Sequence, residues 1–308
     1  MHGLTALRFG EGPESFELFV DAKNPGPFDR VLIEDRPIPD TAALARAFLR
    51  GRGTLIDIGA NVGTVAVSVA KSGSRVLAIE LLPENCMRLR LAREANGLQS
   101  AMRVVERAVT SVNGPISYAG SEAWGHVTEE SDRQTRGETL DTILELYEAM
   151  EPGFLVAPLF IKVDVEGHES EVFKGGAATI ASWRPPIVFE SIEHAYEPPD
   201  RTREARQTLV DHGYDVFAVR ENILVPRRVD DLQESLVTDF LAVPSEARDW
   251  CPVDYEVRPL AQHESLAWVV WTCAATDEHR QHAHAVLSLW LDRARHATSE
   301  TALSAQPR

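Results

Sequence analysis

The sequence predicts an α/β fold, a mostly parallel sheet with helices on both faces and an appendage at the C-terminal end. Three observations carry this expectation. Short continuous apolar runs, such as "TLIDIG", "RVLAIE" and "PLFIKV", alternate with segments of helical spacing, the pattern of strands buried on both faces. The first run leads into a glycine-spaced turn, "GANVG". After Pro244 the alternation stops. These features divide the 308 residues into an N-terminal segment of strands and a helix, 1–50, a ligand-binding core, 51–245, and an appendage, 246–308.

In chain order, "ESFELFV" alternates as a strand and "FDRVLIED" is read as its partner. "PDTAALARAFLRG" has helical spacing, with Asp40 or Thr41 as N-cap and Gly51 as the stop. "GTLIDIG" is the first core strand and "VGTVAVSVAKSG" its helix, ending at Gly73. "RVLAIE" is the second strand, followed by a helix over "PENCMRLRLAREANG" that opens at Pro83 and closes at Gly97. "MRVVERAV" is the third strand. Residues 111–138 are polar and turn-rich and read as irregular. "ETLDTILELYEAM" resumes a helix, "PLFIKVDVEG" is the fourth strand and "ESEVFKGGAATIASW" one helix. "PPIVFES", "YDVFAV" and "VTDFLAVP" are the fifth to seventh strands, with a helix over "RTREARQTLVDHG". Beyond Pro244, one amphipathic helix is expected from Asp277 to His296. It carries His279, His282 and His284 on a face read as solvated, with Leu287, Leu289 and Trp290 for docking on the domain, as a lid, or on a second subunit of a homodimer.

The turn after the first core strand indicates the ligand. A dinucleotide-binding turn would set G-x-G-x-x-G against a pyrophosphate. Here Asp57 precedes Gly59, Ala60, Asn61 and Gly63, and a carboxylate there repels phosphate. An ammonium-bearing ligand is attracted instead, which selects S-adenosylmethionine. Glu80 closes the second strand, where a carboxylate accepts both ribose hydroxyls in folds of this type. The competing reading makes Asp57 and Glu80 solvated strand ends and the glycines plain turn residues.

"LIDIGANVGTVAVSVA", "ETLDTIL", "FIKVDVEGHESEVFKGG" and "PPIVFES" together resemble the FkbM family of S-adenosylmethionine-dependent methyltransferases, over roughly Thr54 to Pro244. The resemblance implies a Rossmann-like methyltransferase sheet of seven strands with the last antiparallel. It also implies O-methylation of a hydroxyl on a natural product, sugar or glycan. Members commonly follow the ribose-binding acid with proline, whereas this chain has Leu81 and Leu82 before Pro83, which sets Leu81 against the adenine. Glu106 and Arg107, at the end of the third strand, fall where the family places adenine.

Methyl transfer to a hydroxyl needs alignment of donor and acceptor, exclusion of water, and a group to take the proton. "KVDVEGHE" offers Asp164, Glu166 and His168, with Glu169 behind them. If the strand continues, Lys162, Asp164 and Glu166 share one face. A paired carboxylate then serves as base, or two oxygens hold a divalent cation such as Mg2+, with Asp164, Glu166 and Glu190 as candidate ligands. Alternatively, Asp164 or Glu166 caps the following helix. Asp141, in "TLD", is either support for this loop or, as preferred, a helix N-terminal charge. Glu190, at the end of "IVFES", and His194 beyond it are acceptor-side candidates, as are Trp124 and His126 in the irregular stretch. Solvated strand end and packing anchor are the alternatives for Glu190 and Trp124.

The totals narrow the class. A net charge of −16 opposes a nucleic-acid surface, which needs clustered Lys and Arg. The cysteines Cys86, Cys251 and Cys273 show neither zinc nor disulfide spacing. "LAWVVWTCAA" is too short to span a bilayer, and "MHGLTALRFGEGPESF" lacks a secretory pattern. A soluble, reduced, cytoplasmic enzyme acting on a small or glycosylated molecule is the expectation. An N-, C- or carboxyl-methyltransferase and a non-catalytic scaffold of the same fold compete with it.

Overall fold

The computed structural model describes residues 3–36, 38–120, 125–128, 131–192, 200–220, 223–229, 237–247 and 256–257. Trp124, His194, Cys251, Cys273 and the helix expected from Asp277 to His296 lie outside the described residues.

At the N-terminal end, β1 (Leu4–Phe9) and β2 (Phe16–Asp21) form an antiparallel pair, with Leu4 opposite Asp21 and Phe9 opposite Phe16. "FDRVLIED", expected as the partner strand, is instead the helix α1 (Pro27–Glu34). Pro27 at its first turn has no N–H to lose, and Phe28, Val31 and Leu32 recur at helical spacing. The next helix, α2 (Asp40–Leu49), follows Pro39 in the cap position without a side-chain cap, so neither Asp40 nor Thr41 caps it.

The core alternates β3 (Thr54–Ile58), α3 (Thr64–Lys71), β4 (Arg75–Glu80), α4 (Pro83–Ala95) and β5 (Met102–Glu106). "MRVVERAV" divides after β5. Its end becomes β6 (Ala108–Val109), which leaves the main sheet and pairs in parallel with β9 (Gln134–Glu138). The stretch read as irregular carries β7 (Gly114–Ala119) and β8 (His126–Val127), which with β6 and β9 make a second, four-stranded sheet. Its short, largely polar strands contain no continuous apolar run.

The chain continues through α5 (Leu140–Met150), β10 (Leu159–Val163), α6 (Glu169–Gly175), α7 (Ala177–Trp183), β11 (Ile187–Ile192), α8 (Asp200–Asp211), β12 (Tyr214–Arg220), β13 (Ile223–Arg227), β14 (Val237–Pro244) and β15 (Glu256–Val257). The single helix expected over "ESEVFKGGAATIASW" is two, broken at Gly175 and Gly176. The backbone there runs so close to β6 that a Cβ on Gly175 would lie 2.1 Å from the Thr110 carbonyl oxygen.

The main sheet has the order β15-β13-β12-β14-β11-β10-β3-β4-β5. β5, β4, β3, β10 and β11 are parallel, and β14 is antiparallel to both β11 and β12, as expected for the seventh strand. β13 and β15 extend the sheet past seven strands; Pro226 within β13 suits it to a position near the edge. Alternate residues of the central strands serve two cores. Leu55, Val76 and Phe160 pack with Leu18, Leu32 and Leu44 on one face, and Ile56, Leu77 and Ile161 pack with Ile143 and Phe173 on the other.

From β3 the chain steps outward to β4 and β5, then returns to β10 on the other side of β3. The strand order therefore reverses between β3 and β10, where α/β sheets leave a crevice beyond their carboxyl ends. No described helix is long and apolar enough to cross a membrane.

Candidate active site

Two turns meet at that crevice. After β3, Gly59 has φ 76° and its N–H donates to the Ile79 carbonyl. A Cβ at Gly59 would lie 1.7 Å from the Asp164 carbonyl oxygen, so only glycine permits the two turns to touch. Asn61 adopts the left-handed region at φ 51°, and Gly63, at φ 102°, occupies the N-cap of α3. After β10, Glu166 also has positive φ, 56°. The strand ends at Val163, so Asp164 and Glu166 lie on a turn and do not alternate along an extended strand. Neither caps α6. His168 occupies the cap position, and the Glu169 carboxylate accepts the Val165 and Gly167 N–H groups at 3.3 and 3.2 Å.

Two cavities open on these turns. The narrower, about 50 Å³, is lined by Gly59, Asn61, Glu80, Leu81, Asn85 and Arg107, by the apolar side chains of Ile79, Val109 and Val127, and by His168. At its floor the Glu80 carboxylate accepts the Asn61 N–H at 2.7 Å and the Leu82 N–H at 2.8 Å. Burial raises the Glu80 pKa to about 7, against the pull of those two N–H groups. The wider cavity, about 330 Å³, has an apolar side built from Phe28, Leu32, Val188 and Phe189. Its acidic side holds Asp164, Glu166, Glu190 and Asp239, with Lys162 among them. Gly59, Asn61, Asp164 and Glu166 line both cavities and form their common wall.

Asp57 is not part of either lining. It is fully buried beneath the turn, 3.3 Å from the Lys162 Nζ. The expected attraction of Asp57 for a ligand's ammonium is thus met inside the protein. Lys162 also reaches Asp164 at 3.1 Å. Burial pushes its pKa down, but Asp164 and Asp57 more than offset this, and the ammonium stays charged. Lys162, expected to share a strand face with Asp164 and Glu166, thus pairs with Asp57 and Asp164 and not with Glu166.

The acids of the wider cavity are strained as a group. Burial, then Asp164 and Glu169, raise Glu166 to about 8. Burial followed by Asp164 lifts Asp239 to about 7, and burial with the same neighbouring acids lifts Glu190 well above the usual range. Glu190 and Asp239 face each other as cross-strand neighbours on β11 and β14, an arrangement that disfavours two negative charges. β11 runs on to Ile192, so Glu190 lies inside the strand. Oxygens of Asp164, Glu166 and Glu190 lie within 4.8 Å of one another, a spacing that fits a hard divalent cation.

Other expected residues lie apart. Glu106 pairs with Arg90 at 3.2 Å and lines a separate groove, whereas its neighbour Arg107 reaches the narrow cavity. His126 pairs with Ala119 in β8 and lines neither cavity, although Gly125 and Val127 beside it do line the narrow one. Gly63 is a packing position, where a Cβ would lie 2.9 Å from Val67. Asp141 is more than a helix-end charge: it accepts the Ala178 and Thr179 N–H groups and fastens α5 to α7. Sequence reasoning missed Asn85, Thr41 and Asp239. Asp239 had a signal, a lone acid inside the apolar run "VTDFLAVP".

The chain is similar to several known methyltransferases. Hexuronic acid methyltransferase AglP of Haloferax volcanii is 27% identical over 177 residues, 58% of this chain and 71% of that protein. Among solved structures, methyltransferase FkbM of Methylobacillus flagellatus is 16% identical with a TM-score of 0.41, covering 62% of this chain and 44% of that one. Precorrin-6y C5,15-methyltransferase of Geobacter metallireducens is 14% identical with a TM-score of 0.40, covering 66% and 87%. The model of the methyltransferase FkbM domain matches residues 57–216, which contain both turns and the strand-order reversal between them, and the chain accordingly belongs to the FkbM family of S-adenosylmethionine-dependent methyltransferases.

Proposed function

We propose that the chain methylates a hydroxyl oxygen of a sugar, glycan or similar small molecule, with the donor in the narrow cavity and the acceptor in the wide one. The observation that carries this reading is the common wall: Gly59, Asn61, Asp164 and Glu166 line both spaces. Donor and acceptor would meet there and nowhere else along either lining.

The residues present fit the donor. Glu80 has free lone pairs for ribose hydroxyls, the Ile79, Val109 and Val127 side chains offer an apolar slot for adenine, and the Asn61 Oδ1 is buried without a hydrogen-bond partner. S-adenosylmethionine supplies a methyl group on a sulfonium, whose thioether leaves neutral, so no acid is required on that side. Asp164 lies toward the methionine end. Glu166 accepts the acceptor's proton, a role its pKa of about 8 suits near neutral pH. The carboxylates around the acceptor disfavour a second carboxylate as the methylated group, which favours a hydroxyl even though AglP is named for a hexuronic acid.

A second reading for the acids rests on the close approach of Asp164, Glu166 and Glu190. A Mg2+ ion held by them would lower the acceptor hydroxyl's pKa. Methyl transfer from labelled S-adenosylmethionine to a panel of neutral and acidic sugars, with chelator and with added Mg2+, tests both. Transfer to hydroxyls that survives chelation supports the Glu166 role, and transfer abolished by chelation supports the ion. Products labelled only on carboxylates would overturn the hydroxyl assignment.

A further inference from the structure

Lys162 belongs to none of the roles assigned above, yet it is the only cation in the wide cavity's lining among the described residues. It sits on β10 directly opposite Asp57 of β3 in the parallel register, and it is 6% exposed. Its ammonium donates to the Gly59 carbonyl at 2.6 Å and forms ion pairs with Asp164 at 3.1 Å and Asp57 at 3.3 Å. Two of these belong to the common wall, one on each turn. The third anchors the ammonium from below.

We propose that Lys162 is a positioning residue for the donor site, pinning the Gly59 turn to Asp164 so that the wall between the two cavities keeps its shape. This rests on the donor reading given above. The two turns approach so closely at Gly59 and Asp164 that a small displacement of either changes the width of the narrow cavity. A neutral apolar side chain would fill the same space but hold neither acceptor. Arginine carries a planar, rigid fork in place of a compact ammonium with three rotatable donors. Asp57 then balances the buried charge, which accounts for a carboxylate that lines no cavity.

Calorimetric titration of S-adenosylmethionine into Asp57→Asn, Asp57→Asn/Lys162→Met and Asp57→Asn/Lys162→Gln separates positioning from charge balance. All three lack the Asp57 charge, and both double variants also lack the Lys162 charge that acts on Glu80, Glu166 and Asp239, so the comparison of Met with Gln isolates the N–H donor. The expected result is at least tenfold weaker binding by the Met variant than by Asp57→Asn. The Gln variant, which keeps an N–H donor for the Gly59 carbonyl, should recover most of that loss. Thermal unfolding of each variant shows that it is folded. Should the Met variant misfold, Asp57→Asn/Lys162→Leu takes its place, with the same tenfold loss expected relative to Asp57→Asn. Equal affinity of the folded variants would overturn the role of Lys162, and failure of the wild-type chain to bind would instead remove the donor reading on which it rests.

Discussion

The two cavities are built by different rules. The narrow one takes its shape from backbone and apolar side chains around Glu80, whose oxygens receive two N–H groups, and it meets Asp164 and Glu166 only at the shared wall. The wide one places four carboxylates against an apolar wall, two of them cross-strand neighbours, with one ammonium already engaged. In the proposed reaction the first is a mould for the donor. The second is an electrostatically loaded space that favours protons, hydroxyl groups or a cation. Changes to backbone shape should therefore act on the donor, and changes to charge should act on the acceptor and on pH dependence.

The largest effect is expected at the point of contact between the turns. Gly59→Ala places a methyl 1.7 Å from the Asp164 carbonyl oxygen at a positive φ. Donor binding should be abolished, with stability lowered by about 2–4 kcal/mol. Calorimetry and denaturant melts read both. Retained affinity would mean that the turns are not packed as described.

Glu166→Gln comes next and probes the other side of the comparison. It should lower kcat by about 10²–10⁴-fold while leaving donor affinity within a few-fold, measured by steady-state kinetics once an acceptor is in hand. The wild-type rate should rise with pH through about 8 as Glu166 loses its proton. A rate independent of pH between 6 and 9 would remove Glu166 as the base. Glu80→Gln should have the reverse profile, weakening the donor about tenfold, the cost of about one hydrogen bond to a charged group.

A further effect concerns stability without ligand. Glu80, Glu169 and Asp239 have folded pKa values of about 7, well above those of an unfolded chain. Between about pH 4.5 and 7 the folded state holds more protons, so stability is greatest at the acid end and falls as pH rises through that window. Across that window each buried group changes stability by up to roughly 4 kcal/mol. The melting temperature should decline from pH 5 to pH 8, and Glu169→Gln should flatten the slope. A melting temperature that rises over this range would contradict the burial of these acids.

The same contrast explains how much could be read in advance. The proposed donor side is local in sequence: Gly59, Asn61 and Glu80 sit at the ends of two consecutive strands whose apolar runs and glycines mark them. Even so, Asp57 reads as a ligand contact until the parallel register sets Lys162 beside it. The acceptor side draws on α1, the start of α2, and the ends of β10, β11 and β14. No spacing rule connects Phe28 with Asp239. The helix α1 was mistaken for a strand because a short apolar run suits either state, and the second sheet was hidden because its strands are short and polar.

The central claim is that the methyl group passes through the wall shared by the two cavities. A crystal structure of the chain with S-adenosylhomocysteine tests it most directly. Ribose hydroxyls are expected on the Glu80 carboxylate, with the sulfur directed at the wall formed by Gly59, Asn61, Asp164 and Glu166. A ligand whose sulfur faces away from that wall, or whose ribose does not touch Glu80, would contradict it.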